Sequence, residues 1–128
     1  MRKQRHKSEN LTECPMEATL DLIGGKWKGV ILFRLSECTR RFNELNRLLC
    51  RISPRTLTKQ LRELEADGLI RRTVYAEVPP RVEYDLTELG QSLQPVIAAL
   101  MGWGTEYALP HLNSAEKDTA STAEFVKL

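Results

Sequence analysis

From Ser53 to Gly68 the chain reads SPRTLTKQLRELEADG, and this stretch fixes more of the fold than any other. The Ser53 hydroxyl can cap free backbone amides, and Pro54 supplies a preset φ at the first helical position. Leu57, Leu61 and Leu64 then recur at i, i+4, i+7 until Asp67-Gly68 stops the pattern. With those leucines on the buried side, at about 100° per residue, Arg55, Lys59 and Arg62 project from the opposite side, flanked by Thr58 and Glu63. Three cations therefore share one outward strip. A DNA major groove, roughly 12 Å wide, admits one such helix, and Arg or Lys there reaches guanine O6 and N7 or the phosphates. Any surface helix exposes charge, so the neighbouring elements must decide between a DNA contact and a solvated face.

Three shorter amphipathic stretches precede this helix. Pro15 suits a first turn, and Met16, Leu20 and Ile23 form a stripe that Gly24-Gly25 ends. Trp27, Val30, Ile31, Arg34 and Leu35 give a second stripe, and Phe42, Leu45, Leu48 and Leu49 a third. After Gly68 the period changes. Ile70, Val74, Val82, Tyr84 and Leu86 lie in β-branched and aromatic runs joined by AEVPPR, the pattern of a hairpin. Pro79-Pro80 cannot donate ladder hydrogen bonds and belongs at its tip, beside Arg81, where a stiff loop carrying a guanidinium suits a narrow minor groove. Thr87 then caps a last helix of about 20 residues, with Pro95 expected to kink it.

The order is that of a winged helix-turn-helix, mainly α with a small β-hairpin wing. Charge supports a DNA-facing reading. Residues 40 to 84 carry ten basic and six acidic side chains, a net charge of +4 against +2 for the whole chain. The 128 residues suffice for one domain, expected over residues 11–112 between a flexible basic arm, 1–10, and a flexible polar tail, 113–128. No apolar run approaches the roughly 20 residues a bilayer requires, so a cytoplasmic protein without membrane contact is expected. Catalysis is not expected. His6 lies in the arm and His111 near the tail, leaving the thiols without a base, and there is no Gly-rich phosphate loop or carboxylate pair. Nothing calls for a cofactor, and Cys14, Cys38 and Cys50 lack zinc-ligand spacing, so no metal is expected either.

The segments CPMEATLDLIGGKWKGVILFRL, RRFNEL, ISPRTLTKQLRELEADGLI and YAEVPPRVEYDLTELG together resemble the HxlR-type transcriptional regulators, winged-helix proteins akin to the MarR group. The resemblance runs from Cys14 to about Tyr107. It implies a homodimeric regulator of double-stranded DNA, with repression as the family expectation, in which the Ser53–Gly68 helix reads the DNA and the first and last helices form the dimer. Carried over residue by residue, ISPRTLT places Ser53, Arg55, Thr56 and Thr58 at the DNA beside Lys59 and Arg62, and VPPRVEY places Arg81 on the wing. The expected dimer residues are Leu11, Met16 and Leu20, and Leu93, Ile97, Leu100, Trp103 and Tyr107 of the last helix, whose two apolar rows offer one to the core and one to a partner. A twofold dimer would set two recognition helices about one DNA turn apart, roughly 34 to 36 Å, and demand a near-palindromic operator.

Many members of that family sense oxidants or electrophiles through a cysteine just before the first helix, the place of Cys14. Free N–H groups at a helix start favour the reactive thiolate there, against the opposing charges of Glu13 and Glu17. Cys50 falls in the turn before Ser53, so a bond there could tilt the recognition helix. A disulfide from Cys14 of one chain to Cys50 of the other would lock the two recognition helices in one pose, if their Cα atoms come within roughly 7 Å. Cys38 reads as a small buried apolar residue, and Cys50 is open to the same reading. Two other functions stay open at this point. One is a regulator gated by a small ligand with no thiol role, lined by Trp27, Trp103 and Tyr107; the other is a winged helix used for protein contact.

Overall fold

The computed structural model describes residues 13–114, which order as α1 (Pro15–Ile23), α2 (Lys28–Glu37), β1 (Arg40–Arg41), α3 (Phe42–Leu48), α4 (Pro54–Ala66), β2 (Ile70–Tyr75), β3 (Arg81–Leu86), α5 (Glu88–Gln91) and α6 (Gln94–Trp103). A π-helical turn, Gly104–Ala108, follows α6 and continues as α-helix through residue 114. The expected basic arm, Leu11 and most of the expected tail lie outside the described residues. The described residues divide into two compact units, before and after the Gln94-Pro95 bond. No helix among the described residues is long and apolar enough to cross a membrane.

The first unit carries the helix-turn-helix and the wing. Its core is built from Ile31, Leu32 and Leu35 of α2, Leu45 and Leu49 around the end of α3, Leu57, Leu61 and Leu64 of α4, and Leu69, Ile70, Tyr84 and Leu86 of the sheet region. The α2 stripe is rotated from its expected setting. Lys28, Ile31, Leu32 and Leu35 are the buried face, while Val30 is exposed, because Lys28 turns inward to an acidic partner on α4.

The hairpin forms in the expected place, with Ile70 opposite Leu86 and Tyr75 opposite Arg81. It is one strand larger than the sequence suggested. Arg40 and Arg41 pair antiparallel with Tyr84 and Glu83, giving a three-stranded sheet in the order β1-β3-β2. Two residues are too few to show a period, and this strand is held from outside. Arg40 donates from Nε to the Arg34 carbonyl at 3.0 Å and from Nη2 to Glu37 at 2.8 Å, tying the edge of the sheet to the end of α2.

The long terminal helix is also revised. It breaks before Pro95 instead of bending at it: α5 ends at Gln91, Ser92 donates back to the Glu88 carbonyl, and α6 restarts at Gln94. Pro95 therefore sits in a first turn, where a missing N–H costs no hydrogen bond. Thr87 caps α5 as expected, accepting from Gly90 N at 3.1 Å, and its hydroxyl also donates to the Gly68 carbonyl at 2.6 Å. Gly90 is required by this junction, since a Cβ there would stand 2.1 Å from the Leu69 carbonyl oxygen.

Candidate nucleic-acid interface

The turn between α3 and α4 sets where α4 begins. Ile52 is buried at its centre, its N–H donates to the Leu49 carbonyl at 2.9 Å, and the Asn46 amide donates to the Ile52 carbonyl at 3.2 Å. Ser53 ends the turn and starts the helix, its Oγ accepting from Thr56 N at 3.1 Å. Such a cap contributes about 1 kcal/mol to helix stability. At the far end Gly68 takes φ 78°, a left-handed conformation that closes α4 with little strain only for glycine.

Leu57, Leu61 and Leu64 all point into the core, and Arg55, Lys59 and Arg62 are all exposed. Thr56 and Thr58 are half-buried beside them. The Thr58 hydroxyl donates to the Pro54 carbonyl at 2.9 Å, and the Ser53 hydroxyl donates to Thr56 Oγ1 at 2.9 Å, so both have local partners before any ligand arrives. Behind the helix, Lys28 Nζ meets Glu63 Oε1 at 2.7 Å.

The ten cations counted along residues 40–84 divide in two. Arg40 is tied to Glu37, Arg71 makes a two-pronged bond to Asp85, and Arg81 is held on the wing itself. The Asp85 carboxylate pushes the Arg71 guanidinium pKa upward through that hydrogen bond. Arg41, Arg47, Arg51, Arg55, Lys59, Arg62 and Arg72 are exposed and make no ion pair among the described residues.

Arg81 departs from the sequence expectation. It opens β3 below the tip, its guanidinium carbon lies 4.0 Å from the centre of the Tyr75 ring, and Glu77 and Glu83 carboxylates each stand 3.6 Å from it. The tip belongs to Val78, fully exposed, and to Pro79-Pro80. Sequence reading placed the guanidinium at the loop end because Arg81 follows the prolines; what it missed was the acidic pair two and four residues away.

All three cysteines are exposed thiols. Cys14 is the residue that precedes α1, and its carbonyl accepts from Ala18 N at 3.0 Å. Cys50 lies in the turn after α3. Cys38, expected inside, caps the end of α2 at the surface, because α2 stops one residue earlier and the chain turns outward toward β1.

The expected dimer residues fare differently. On α1, Met16 and Leu20 are exposed. In the last segment Leu100, Trp103 and Tyr107 are exposed, with the Trp103 and Tyr107 rings 5.9 Å apart. Leu93 is half-buried. Ile97, expected to face a partner, is 5% exposed in the single chain. Among the described residues there is no group of three or more His, Cys, Asp or Glu side chains placed to hold a metal ion.

Comparison with known proteins agrees with this architecture. Residues 22–112 match the model of the HxlR-like helix-turn-helix family, well over half of the chain. YdeP of Bacillus subtilis (strain 168), an uncharacterised HTH-type transcriptional regulator, is 53% identical over 102 residues, 80% of each chain. Among solved structures, the redox regulator HypR in its reduced form superimposes with a TM-score of 0.73 at 46% identity, covering 80% of this chain and 99% of that one. The reduced form of the transcriptional regulator YodB from B. subtilis gives 0.66 at 35% identity, over 77% and 98%. The chain belongs to the HxlR-like helix-turn-helix family of transcriptional regulators.

Proposed function

We propose that this regulator is a homodimeric DNA-binding repressor in which α4 reads the major groove of a near-palindromic operator. The observation that carries the reading is the outward strip of Arg55, Lys59 and Arg62, which is exposed, unneutralised among the described residues, and backed by a buried leucine face. Water solvates such a strip at little cost, and a polyanion laid across it gains affinity by releasing its condensed counterions. A second copy of the chain is the natural cover for Met16 and Leu20 on α1 and for Leu100, Trp103 and Tyr107 on the last segment, since each row exposes large apolar side chains. A protein engaged with DNA in this way works in the cytoplasm.

We further propose that DNA binding answers to oxidation at Cys14, a reading supported by the likeness to the redox regulator HypR and by the exposure of the thiol. A peroxide would transfer oxygen to the Cys14 thiolate, leaving a sulfenic acid and hydroxide. The Cys50 thiol of the second copy would then attack that sulfur, forming the S–S bond and releasing water. Operator binding measured on the DNA upstream of its own gene, with and without peroxide, tests both parts. Binding that weakens steeply with salt and changes with peroxide in wild type but not in Cys14→Ser is the expected result. Salt-independent binding, or none, would favour a protein-contact module; a peroxide response intact in Cys14→Ser would remove the thiol from the mechanism.

A further inference from the structure

The wing between Ile70 and Leu86 carries three cations, and two of them are neutralised within it. Arg71 is bonded to Asp85, and Arg81 lies over Tyr75 between Glu77 and Glu83. Arg72 alone of the three is exposed without an ion pair among the described residues. Strand alternation puts it on the same face as Ile70, which is buried in the core, so Arg72 belongs to the face of the sheet turned toward α4, opposite to Arg71. There it lines a cleft of about 350 Å³ with Thr58, Leu61, Arg62, Glu65 and Tyr84.

We propose that Arg72 and Arg62 form the two jaws of a phosphate site between the recognition helix and the wing, which holds one backbone phosphodiester of the bound DNA. This rests on the DNA-binding reading of α4 given above and adds the wing's own contribution to it. Arg62 is the cation of the outward strip that also borders the cleft, so an anion there continues the surface offered to the duplex. The two guanidinium groups hold it, because the Thr58 hydroxyl proton is directed to the Pro54 carbonyl. Glu65 stands on the same wall, three residues beyond Arg62. A phosphodiester crossing the mouth brings one negative charge to two guanidinium groups, whereas a free phosphate dianion lodged inside would meet that carboxylate with twice the charge.

The test is the salt dependence of binding to a mixed-sequence 30-base-pair duplex, followed by fluorescence anisotropy over a series of KCl concentrations. Each phosphate no longer neutralised lowers the slope of log K against log salt by about 0.9. Arg72→Gln is expected to lose up to that amount, Arg72→Lys to keep the wild-type slope, and the Arg62→Gln/Arg72→Gln pair to lose less than the sum of the single changes. Thermal melts verify that each variant folds. A wild-type slope in Arg72→Gln overturns the proposal. A parallel titration with inorganic phosphate at fixed ionic strength separates the sources: saturable binding abolished by Arg72→Gln, with the duplex slope unchanged, assigns the cleft to a free anion and overturns the DNA contact. If wild type binds no duplex at all, the regulator reading falls first and takes the cleft with it, an outcome distinct from failure of Arg72 alone.

Discussion

Lys28 on α2 reaches through a nearly closed interior to Glu63 on α4, with Nζ and Oε1 2.7 Å apart and the lysine side chain 8% exposed. The pair ties α2 to α4. Removing one partner leaves the other charge poorly solvated, a loss between that of a surface pair and that of a fully buried one. Lys28→Met is expected to destabilise the protein by about 2 kcal/mol in urea unfolding. The Lys28→Met/Glu63→Leu double variant should recover most of that loss, because both charges of the pair are removed together; a double variant as unstable as the single one would assign the loss to something other than the broken pair.

Arg55 and Arg81 should separate cleanly in DNA binding. Arg55→Ala is expected to weaken operator binding and relax discrimination at one base position by about 1 to 3 kcal/mol. Arg81→Ala should act through the wing, by uncovering Tyr75 and leaving Glu77 and Glu83 without their cation, and so weaken binding without changing base preference. Anisotropy titrations against the operator and single-base variants of it measure both.

Gly90 is held against the backbone of the α4–β2 junction, and a methyl group there collides with the Leu69 carbonyl and presses on Leu86. Gly90→Ala is expected to cost about 1 to 3 kcal/mol, read as a lower urea midpoint. An unchanged midpoint would mean that α5 moves freely enough to make room.

Acid should loosen the edge of the sheet. The hydrogen bond from the Arg34 guanidinium holds the Glu37 carboxyl below its ordinary value of 4.5; desolvation opposes it, and a hydrogen bond from Arg40 lowers the value further. A carboxyl whose pKa is lowered by folding stabilises the fold in full above its unfolded value and loses that stabilisation as pH falls through the folded one. Wild type and Glu37→Gln should therefore differ in Tm at pH 6 and converge as the pH falls through the lowered Glu37 value. A constant difference across that range would assign the effect to something other than charge.

Non-reducing gels of peroxide-treated protein should show a covalent dimer in wild type and none in Cys14→Ser or Cys50→Ser. Retention of the dimer in Cys50→Ser would direct the bond to Cys38, which is exposed as well.

Wherever local chemistry dictates conformation, the sequence was sufficient. Ser53-Pro54, the three leucines and Asp67-Gly68 define α4 to within a residue, and the prolines mark the loop of the wing. Features that depend on two distant partners stayed hidden. Lys28 reads as a solvent residue until Glu63 is seen across from it; Arg40-Arg41 is a strand only because β3 lies beside it; and Arg81 looks available until Glu77 and Glu83 fold around it. Helical spacing in the last segment likewise shows that two apolar faces exist but not which one the protomer covers, and the burial of Ile97 was not legible from it.

The internal pairing of Arg40, Arg71 and Arg81 has a bearing on how the protein moves through a cell. Attraction to arbitrary DNA scales with the number of unneutralised cations presented to it. On the DNA-binding reading proposed above, the pairing of three arginines with the chain's own carboxylates should leave its grip on random genomic sequence weaker than its composition suggests. Shorter stays at wrong addresses would leave more time for sampling right ones, so ion pairs that steady the edge of the sheet and the wing should also quicken the search for a target.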